Sequence, residues 1–398
     1  MYFVLEFVSS LLFSMVFLVS SLYEVTVANL QGYQLVLLGT TLEVSVLIFE
    51  IPTGVIADTR SRKLSVILGF FLIGFGFLIE GLFPIFFAIM ISQVIVGLGH
   101  TFTSGATQAW LSDEIGEVEA NGAILSGNKY SLAGALMGLL LSIPIGSANL
   151  NMPFRIGGGL FMVSALLLII LMPETGFAPT KPEERSNWDH MISIFKESVD
   201  AVKKHPNMLT ILGVGFFYGL YSEGWDRLWV KFLLENFSIQ ETLGIANITF
   251  FGILRAGSMV LSILATQWTE KRINTNSTRA ISSSLFTITA LLAVSIIVYA
   301  ISPLLTLCIA AYGMVAITRN LSGPLYTAWV NNKLDPKTRA TVLSISGQVD
   351  AIGQVGSGPI AAVLSLISLP IAIAFAGILL LPALPLIKKV ENLSKDQF

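Results

Sequence analysis

Long apolar segments recur along the whole chain and are separated by short polar loops. Each segment is ~20–27 residues long, which is enough to cross a hydrocarbon core of ~30 Å. The segments are apolar around their full circumference, so the pattern predicts twelve membrane-spanning α-helices rather than the helices of a soluble core. The predicted spans are 2–28, 33–57, 64–83, 85–110, 123–146, 153–172, 208–232, 243–268, 280–300, 303–330, 342–366 and 368–388.

The composition agrees with this membrane assignment. Of the 398 residues, 54% are hydrophobic and 12% are charged, about half the charged fraction of a soluble domain. No basic segment precedes the first apolar stretch and no small-residue cleavage site follows it, so we predict a first span rather than a signal peptide. The net charge of -2 predicts no nucleic-acid partner. Cys308 is the only cysteine, which excludes an internal disulfide and a cysteine metal cluster.

The distribution of Lys and Arg predicts the orientation of the chain. With both termini in the cytoplasm, 18 of the 23 Lys and Arg residues fall in inner loops, in the tail or at inner helix ends. The opposite orientation breaks the positive-inside rule at almost every loop. We therefore predict a multi-pass protein of the cytoplasmic (inner) cell membrane with both termini inside.

A weak internal repeat divides the chain into two halves. Several short matches recur in the same order at an offset of 218–220 residues, which indicates a duplicated six-helix unit. The clearest matching pairs are Ser104-Gly105 with Ser322-Gly323, and Ala109-Trp110 with Ala328-Trp329. We predict an N-terminal six-helix bundle at 1–173, a cytoplasmic linker at 174–207 and a C-terminal six-helix bundle at 208–398. The linker carries an amphipathic pattern that predicts a helix on the inner membrane surface, capped by Ser186.

The loop between spans two and three has the sequence GVIADTRSRK, residues 54–63. This string closely resembles the loop signature of the major facilitator superfamily of secondary transporters. The resemblance implies an all-α fold of 12 transmembrane helices in two pseudo-symmetric six-helix bundles. It also implies a conformational latch in which Gly54 allows close packing of the halves, Asp58 is the acceptor and Arg62 is the donor. The superfamily usually has glycine where this chain has Ser61, so the turn of the loop is expected to differ.

Two further patterns relate the chain to the drug:proton antiporter branch of the superfamily. Span four contains Gly97-Leu98-Gly99, but Gln93 stands where exporters often carry arginine. In span five, Gly134 and Gly138 remain of the exporter glycine pattern, and this spacing also predicts tight helix packing. The match to the superfamily is therefore stronger than the match to the exporters.

Charged residues within the spans are candidates for proton coupling, because an ionised side chain at mid-bilayer costs ~2.5–3.5 kcal/mol. The candidates are Glu43, Glu50, Asp350 and His100. The alternative is that the carboxylates are neutralised by Arg319 or by backbone groups, and that His100 is a hydrogen-bonded packing residue. We interpret five other charged residues as rim residues close to water: Glu6, Glu80, Arg155, Asp226 and Arg227.

Span seven carries an aromatic stripe beside a carboxylate, which suits a lipophilic cation. Its members Tyr218, Tyr221, Trp225 and Glu223 are candidates for the substrate cavity, with Glu24 as the counterpart in the first half. An aromatic belt at the outer interface is the alternative for part of this stripe. Arg255 and Arg319 are further cavity candidates, which could balance an acid or bind an anionic group.

These features predict a monomeric secondary transporter that works by alternating access and exports lipophilic or cationic small molecules in exchange for protons. Uptake or exchange of a metabolite such as a sugar or organic acid, and lipid flipping, are alternatives on the same fold. A membrane sensor or accessory subunit is the alternative outside transport. We find no phosphate-binding glycine loop, no nucleophile–base motif and no metal-ligand grouping, so we predict no enzyme, no metal and no cofactor besides the proton gradient. The expected partners are a small-molecule substrate and membrane lipids.

Overall fold

The computed structural model describes residues 1–178, 206–274, 277–331 and 336–393, and all regular structure in these ranges is α-helical. The predicted linker helix with its cap Ser186 lies outside the described residues. The helices are α1 (Tyr2–Thr26), α2 (Gly32–Thr59), α3 (Arg62–Leu82), α4 (Phe86–Thr103), α5 (Ala106–Ile115), α6 (Glu117–Ala148), α7 (Met152–Leu171), α8 (Pro206–Asn236), α9 (Ile239–Leu243), α10 (Asn247–Glu270), α11 (Thr278–Ile301), α12 (Leu305–Asn331), α13 (Pro336–Ile367), α14 (Leu369–Leu379) and α15 (Ala383–Leu393).

Among the described residues, eleven helical segments are long and apolar enough to cross a membrane. The pairs α4–α5 and α14–α15 each count as one segment. Helix α8 is 31 residues long and is more polar, because Glu223, Asp226, Arg227 and Lys231 lie within it. With α8 the helices correspond to the twelve predicted spans, and α11 ends at Ile301, between the predicted spans nine and ten.

Two predicted spans are not continuous helices. The span predicted at 368–388 is divided between α14, which ends at Leu379, and α15, which begins at Ala383. The span predicted at 85–110 is present as one apolar segment, but its helix is interrupted, because α4 ends at Thr103 and α5 begins at Ala106. Gly105 between them has φ +57°, a left-handed conformation that glycine adopts without steric cost. The segment as a whole has the length of one span, which is why it was predicted as a single helix.

The described chain forms two compact units. Among the described residues, the first unit contains 1–34, 41–178 and 239–252, and the second contains 35–40, 206–238, 253–274, 277–331 and 336–393. Residues 35–40 of α2 thus belong to the second unit, and the first residues of α10 belong to the first unit.

Close helix packing at glycines holds each unit together. In the first unit, a Cβ at Gly134 or Gly138 of α6 would overlap the carbonyl oxygen of Phe7 or Leu11 on α1. The tight packing predicted from this glycine pair is therefore present. In the second unit, a Cβ at Gly353 of α13 would lie 2.5 Å from the carbonyl oxygen of Phe216 on α8. Gly134 and Gly353 are separated by the offset of the sequence repeat, so the duplication preserves this contact.

Candidate functional site

A polar cavity of about 460 Å³ lies within the second unit, between α8, α12 and α13. Four predicted site residues line it, namely Tyr218, Tyr221, Arg319 and Asp350. The structure thus brings together part of the predicted aromatic stripe, one predicted arginine and one predicted proton-coupling carboxylate. Asp226 and Tyr326 also line the cavity, although neither was among the predicted cavity residues.

The guanidinium of Arg319 forms a two-point ion pair with Asp226. Its Nη1 donates to Oδ1 and its Nη2 donates to Oδ2, the latter at 2.9 Å. The pair faces the cavity, since the Arg319 side chain is 32% exposed and that of Asp226 is 43% exposed. The guanidinium carbon also lies 5.6 Å from the centre of the Tyr221 ring. Arg319 is therefore held by a carboxylate and an aromatic face. Its two predicted roles, to balance an acid or to bind an anionic group of the substrate, stay predictions.

Asp350 is the second carboxylate of this cavity. Its Oδ2 accepts a hydrogen bond from Gln354 Nε2 at 2.8 Å, one turn further along α13. This partner is neutral, so the hydrogen bond does not cancel the charge of Asp350. When both carboxylates are ionised, the cavity wall carries two negative charges against one positive charge, and it favours a cationic group.

Three tyrosine rings form the aromatic wall of the cavity. The Tyr218 and Tyr326 rings meet at a centroid distance of 5.8 Å, and the Tyr218 and Tyr221 rings meet at 6.4 Å, both edge to face. The Tyr218 hydroxyl shares a hydrogen bond with Thr289 at 2.7 Å, and the Tyr326 hydroxyl shares one with Ser346 at 3.1 Å. These hydrogen bonds fix the orientation of the rings, so the aromatic wall is ordered before a ligand binds.

The rest of the predicted stripe on α8 lies elsewhere. Trp225 is buried against Tyr299 at a ring distance of 4.9 Å, away from the cavity lining. Glu223 is only 3% exposed, and its Oε1 lies 3.5 Å from Arg227 Nε. A Cβ at Gly39 would overlap this ion pair, so α2 approaches α8 closely there. The stripe is split because consecutive turns of α8 face different neighbours.

The lining positions of α8 follow the spacing Gly215, Tyr218, Ser222 and Asp226. These residues are three or four apart, which places them on one helix face. That spacing could have identified Asp226, which we predicted as a rim residue because it lies near the predicted end of the span. The structure corrects this interpretation and places Asp226 in the cavity wall.

The remaining cavity candidates lie outside this lining. Glu24 is 2% exposed, and it accepts a hydrogen bond from Ser20 Oγ at 3.2 Å on its own helix. Arg255 is half-buried on α10, and it interacts electrostatically with Tyr312. The proton-coupling candidate Glu43 is half-buried on α2. The roles predicted for these three residues stay predictions.

A second, smaller cavity of about 210 Å³ lies within the first unit, at the break between α4 and α5. Glu6, His100, Ser104, Gly105 and Gln108 are among its lining residues. Ser104 Oγ donates to Glu50 Oε1 at 3.2 Å, so two predicted proton-coupling residues, Glu50 and His100, lie near this cavity. Its Ser104-Gly105 pair corresponds in the sequence repeat to Ser322-Gly323, which lines the larger cavity.

The loop after α2 is tied to neighbouring segments by charged groups. Arg62 pairs with Asp58, and its Nε lies 3.3 Å from Asp113 Oδ2. Ser61, at the position where glycine is usual, accepts from the Leu64 backbone N–H at 2.9 Å and caps α3. Its hydroxyl also donates to the Glu174 carboxylate at 2.7 Å. The Asp58–Arg62 pair is thus formed within this loop.

Residues 113–119 include four acidic side chains, Asp113, Glu114, Glu117 and Glu119, and two of them have defined partners. The Glu114 carboxylate accepts hydrogen bonds from the Thr175 hydroxyl at 2.8 Å and the Gly176 N–H at 2.8 Å. Asp113 joins the Arg62 network. Gly54 is exposed, and a Cβ built there meets no atom of the described residues within 4 Å. Its predicted role in close packing of the halves stays a prediction.

Glu80 is a buried carboxylate rather than the rim residue we predicted. It is 1% exposed, and its Oε2 accepts hydrogen bonds from Ser92 Oγ at 3.3 Å and Gln93 Nε2 at 3.2 Å. Gln93 occupies the position where exporters often carry arginine, and here it supplies a neutral donor to a buried acid. Within the described residues, no group of three or more His, Cys, Asp or Glu side chains could hold a metal ion.

Comparison with known proteins decides the family of this chain. The sequence profile of the Major Facilitator Superfamily matches residues 2–358. The chain belongs to the Major Facilitator Superfamily. It is 28% identical over 338 residues to an uncharacterized MFS-type transporter of Bacillus subtilis (strain 168), YxaM, with 83% of this chain and 80% of that protein covered.

Solved structures of the superfamily share the fold. A bacterial homolog of the human lysosomal transporter Spinster, in an inward-facing and unoccupied conformation, matches with a TM-score of 0.74 at 16% identity, over 98% of this chain and 96% of that one. The nucleoside transporter NupG matches with a TM-score of 0.71 at 14% identity, over 98% and 97%. A POT family transporter in complex with 5-aminolevulinic acid matches with a TM-score of 0.73 at 13% identity, over 99% and 95%. The protein is therefore a multi-pass transporter of this superfamily with the predicted twelve-helix fold.

Proposed function

We propose that this transporter exports lipophilic or cationic small molecules in exchange for protons, by alternating access across the cytoplasmic membrane. The observation that carries this proposal is the charge of the larger cavity, where Asp226 and Asp350 outnumber Arg319. Because Asp226 is already paired with Arg319, Asp350 is the group available to a cationic ligand. A cation that binds there replaces water molecules that solvate the carboxylate. Its electrostatic attraction to Asp350 is stronger in this partly dehydrated site than in bulk water.

The tyrosine rings add to this attraction. Each cation–π contact contributes ~0.5–2 kcal/mol to the binding free energy. Contact with the rings also buries apolar surface of the ligand away from water. Tyr218, Tyr221 and Tyr326 surround the space next to Asp350. A flat or bulky organic cation fits this combination better than a small hydrated ion does.

A second candidate is uptake or exchange of a polar metabolite. It is favoured by the Arg319 guanidinium, which faces the cavity and could exchange Asp226 for an anionic group of a substrate. The serine hydroxyls of Ser222, Ser322 and Ser346 also line the cavity and suit a polar ligand. Nucleoside and POT family transporters share the fold, but at 13–14% identity they support the architecture alone.

Reconstitution into liposomes with an imposed proton gradient tests both candidates. The panel contains tetraphenylphosphonium and ethidium, a set of sugars, nucleosides, dipeptides and organic acids, and a fluorescent phospholipid. Proton movement driven only by the cations supports export in exchange for protons. Movement driven only by polar metabolites supports the second candidate, and phospholipid transfer without proton movement indicates a flippase.

The Asp350→Asn variant makes the test specific to this site. We expect it to lose most cation-driven proton movement, whereas Glu241→Gln, a change to an exposed acid on α9, should behave as the unmodified protein does. Equal activity of Asp350→Asn and the unmodified protein would remove the larger cavity from the proposal.

A further inference from the structure

We infer that the break in the fourth membrane span forms a proton-binding site of this transporter, with Glu50 as the group that takes up the proton and Ser104 and His100 as its partners. This inference rests on the proposed proton exchange and assigns its proton to the first unit. It leaves Asp350 in the second unit as the anchor for the cation.

The break itself is the first observation. A helix interrupted at membrane depth loses backbone hydrogen bonds, which is tolerated where the irregular segment lies against protein or a water-filled cavity. Here a hydroxyl group of a neighbouring helix compensates at the break, because Thr53 Oγ1 of α2 donates to the Thr101 carbonyl at 3.1 Å. The His100 carbonyl keeps its backbone donor, the Ser104 N–H at 2.8 Å.

The cavity at this break is the second observation. It places the C-terminal end of α4, with its partial negative charge, against a polar space of about 210 Å³. In transporters, interrupted helices whose ends face a cavity bind coupling ions. The end of α4 disfavours an ionised carboxylate nearby, and protonation of that carboxylate removes the negative charge.

The groups around the cavity are the third observation. Glu6 comes from α1, His100 from α4 and Glu50 from α2, the last connected through the 3.2 Å bond from Ser104. Glu50 and His100 interact electrostatically, and Tyr2 lies beside Glu6 on α1. Helix α3 contributes Phe70 and Ile73, and α5 contributes Thr107 and Gln108. No Lys or Arg occurs among the described residues that line this space.

These surroundings favour a proton over a metal ion. The described part of the chain contains no cluster of three or more acidic, His or Cys side chains that could hold a metal. The Glu50 carboxylate is joined by the Ser104 hydroxyl to a small cavity whose described lining carries no fixed cation. Protonation is the simplest way to neutralise such a carboxylate, and the His100 imidazole, which lines the cavity, can pass the proton to water. Uptake forms an O–H bond at Glu50 and breaks one in hydronium, and release on the other side reverses this step.

Glu50 is a better candidate than Glu6 on geometry. The Glu50 carboxylate has a hydroxyl donor at the helix break, whereas Glu6 lies in the first turns of α1 next to Tyr2. The hydroxyl of Ser104 can donate to an ionised Glu50 and accept from a protonated one, because it is both donor and acceptor. The site can therefore hold both protonation states without rearrangement of the helices.

Infrared difference spectroscopy of the full chain in lipid nanodiscs tests the inference without a substrate. A pH change should produce a carbonyl band of a protonated carboxyl group in the unmodified protein. Glu50→Gln should remove this band, and Glu6→Gln should retain it. Ser104→Ala and His100→Gln should move the pH midpoint of the band, and they serve as the decisive variants if Glu50→Gln does not fold. A band unchanged in Glu50→Gln, Ser104→Ala and His100→Gln overturns the inference.

Cation binding separates this inference from the proposed function. With tetraphenylphosphonium as ligand, Glu50→Gln should still bind the cation but should release at least tenfold less proton into a pH indicator than the unmodified protein does. Full proton release by a folded Glu50→Gln protein contradicts the inference while the proposed function stands. Failure of the unmodified protein to bind or move any cation contradicts the proposed function, and the infrared result still decides whether Glu50 titrates.

Discussion

Arg319 of α12 and Asp226 of α8 form a two-point ion pair in the wall of a cavity that also contains Asp350. The pair joins two helices of the second unit and leaves 32% of the Arg319 side chain and 43% of the Asp226 side chain exposed. It therefore sets the charge that a ligand meets. Asp226 neutralises Arg319, and Asp350 keeps its negative charge available.

The first prediction is that removing Asp226 weakens cation binding although Asp226 does not hold the cation. In Asp226→Asn, the uncompensated Arg319 guanidinium repels a cation and turns toward Asp350. We expect cation affinity to fall by about tenfold, which corresponds to roughly 1.4 kcal/mol. Equilibrium binding of tetraphenylphosphonium to the purified protein in nanodiscs measures this change.

The double variant Asp226→Asn/Arg319→Gln is the control for that prediction. It restores the charge difference of the cavity wall, so affinity should recover most of the loss. An affinity that stays low in the double variant would show that the ion pair acts through structure and not through charge.

The second prediction concerns Tyr326, which is half-buried and meets Tyr218 edge to face in the cavity. Tyr326→Phe keeps the ring, and we expect less than a threefold change in affinity for an aromatic cation. Tyr326→Leu removes the ring face and should weaken binding by about 2–30-fold, the equivalent of ~0.5–2 kcal/mol. The same titration measures both variants, and Tyr33→Leu, outside the cavity lining, is the control. Equal affinities for Tyr326→Phe and Tyr326→Leu would contradict an aromatic role.

The sequence predicted the spans because apolar helices that cross a membrane need long hydrophobic segments, and such segments are visible in composition alone. It did not predict the break at Gly105, because the φ of a single glycine does not alter hydrophobic periodicity. Span four was therefore predicted as one helix, although the matching Ser-Gly pairs of the repeat were recognised.

The candidate site was predicted in part for a similar reason. Tyr218, Tyr221, Arg319 and Asp350 were chosen as polar or aromatic residues within spans, and they line one cavity. Trp225 and Glu223 were chosen with them but do not line the cavity. The position of each side chain depends on which neighbouring helix its turn of α8 faces, and the sequence does not show this. Asp226 and Glu80 were misjudged because depth was inferred from distance to a span end. Glu80 shows that a residue near a helix end can be almost fully buried.

The third prediction concerns Ser61, where this chain departs from the superfamily signature. Ser61 caps α3 and donates to Glu174, so Ser61→Ala should lower the free energy of unfolding by about 0.5–2 kcal/mol. Ser61→Gly introduces the residue that is usual in the superfamily. Because glycine leaves the first backbone N–H groups of α3 open to water, loss of the cap should lower the free energy of unfolding by only a few tenths of a kcal/mol in this variant.

Thermal unfolding of the purified protein in detergent measures the Ser61 variants. Ser164→Ala, which removes a hydroxyl that bonds within its own helix α7, is the matched control. A Ser61→Ala protein as stable as Ser164→Ala would show that neither the cap nor the Glu174 contact contributes to stability.

The last prediction concerns close packing in the first unit. A methyl group at Gly134 would overlap the carbonyl oxygen of Phe7, which is backbone and cannot move without shifting α1. Gly134→Ala should therefore destabilise the protein by about 1–3 kcal/mol. Gly159→Ala, also inside a helix, meets no atom of the described residues within 4 Å, and it should be neutral or stabilise by up to ~1 kcal/mol because alanine favours helix.

Reversible unfolding of the two glycine variants side by side measures this difference. The two substitutions add the same methyl group to a helical glycine, so helix propensity cancels and the remaining difference reports contact with α1. Equal stabilities would mean that α1 and α6 can separate at Phe7 without cost. The close contact between Gly134 and Phe7 would then not contribute to the stability of the first unit.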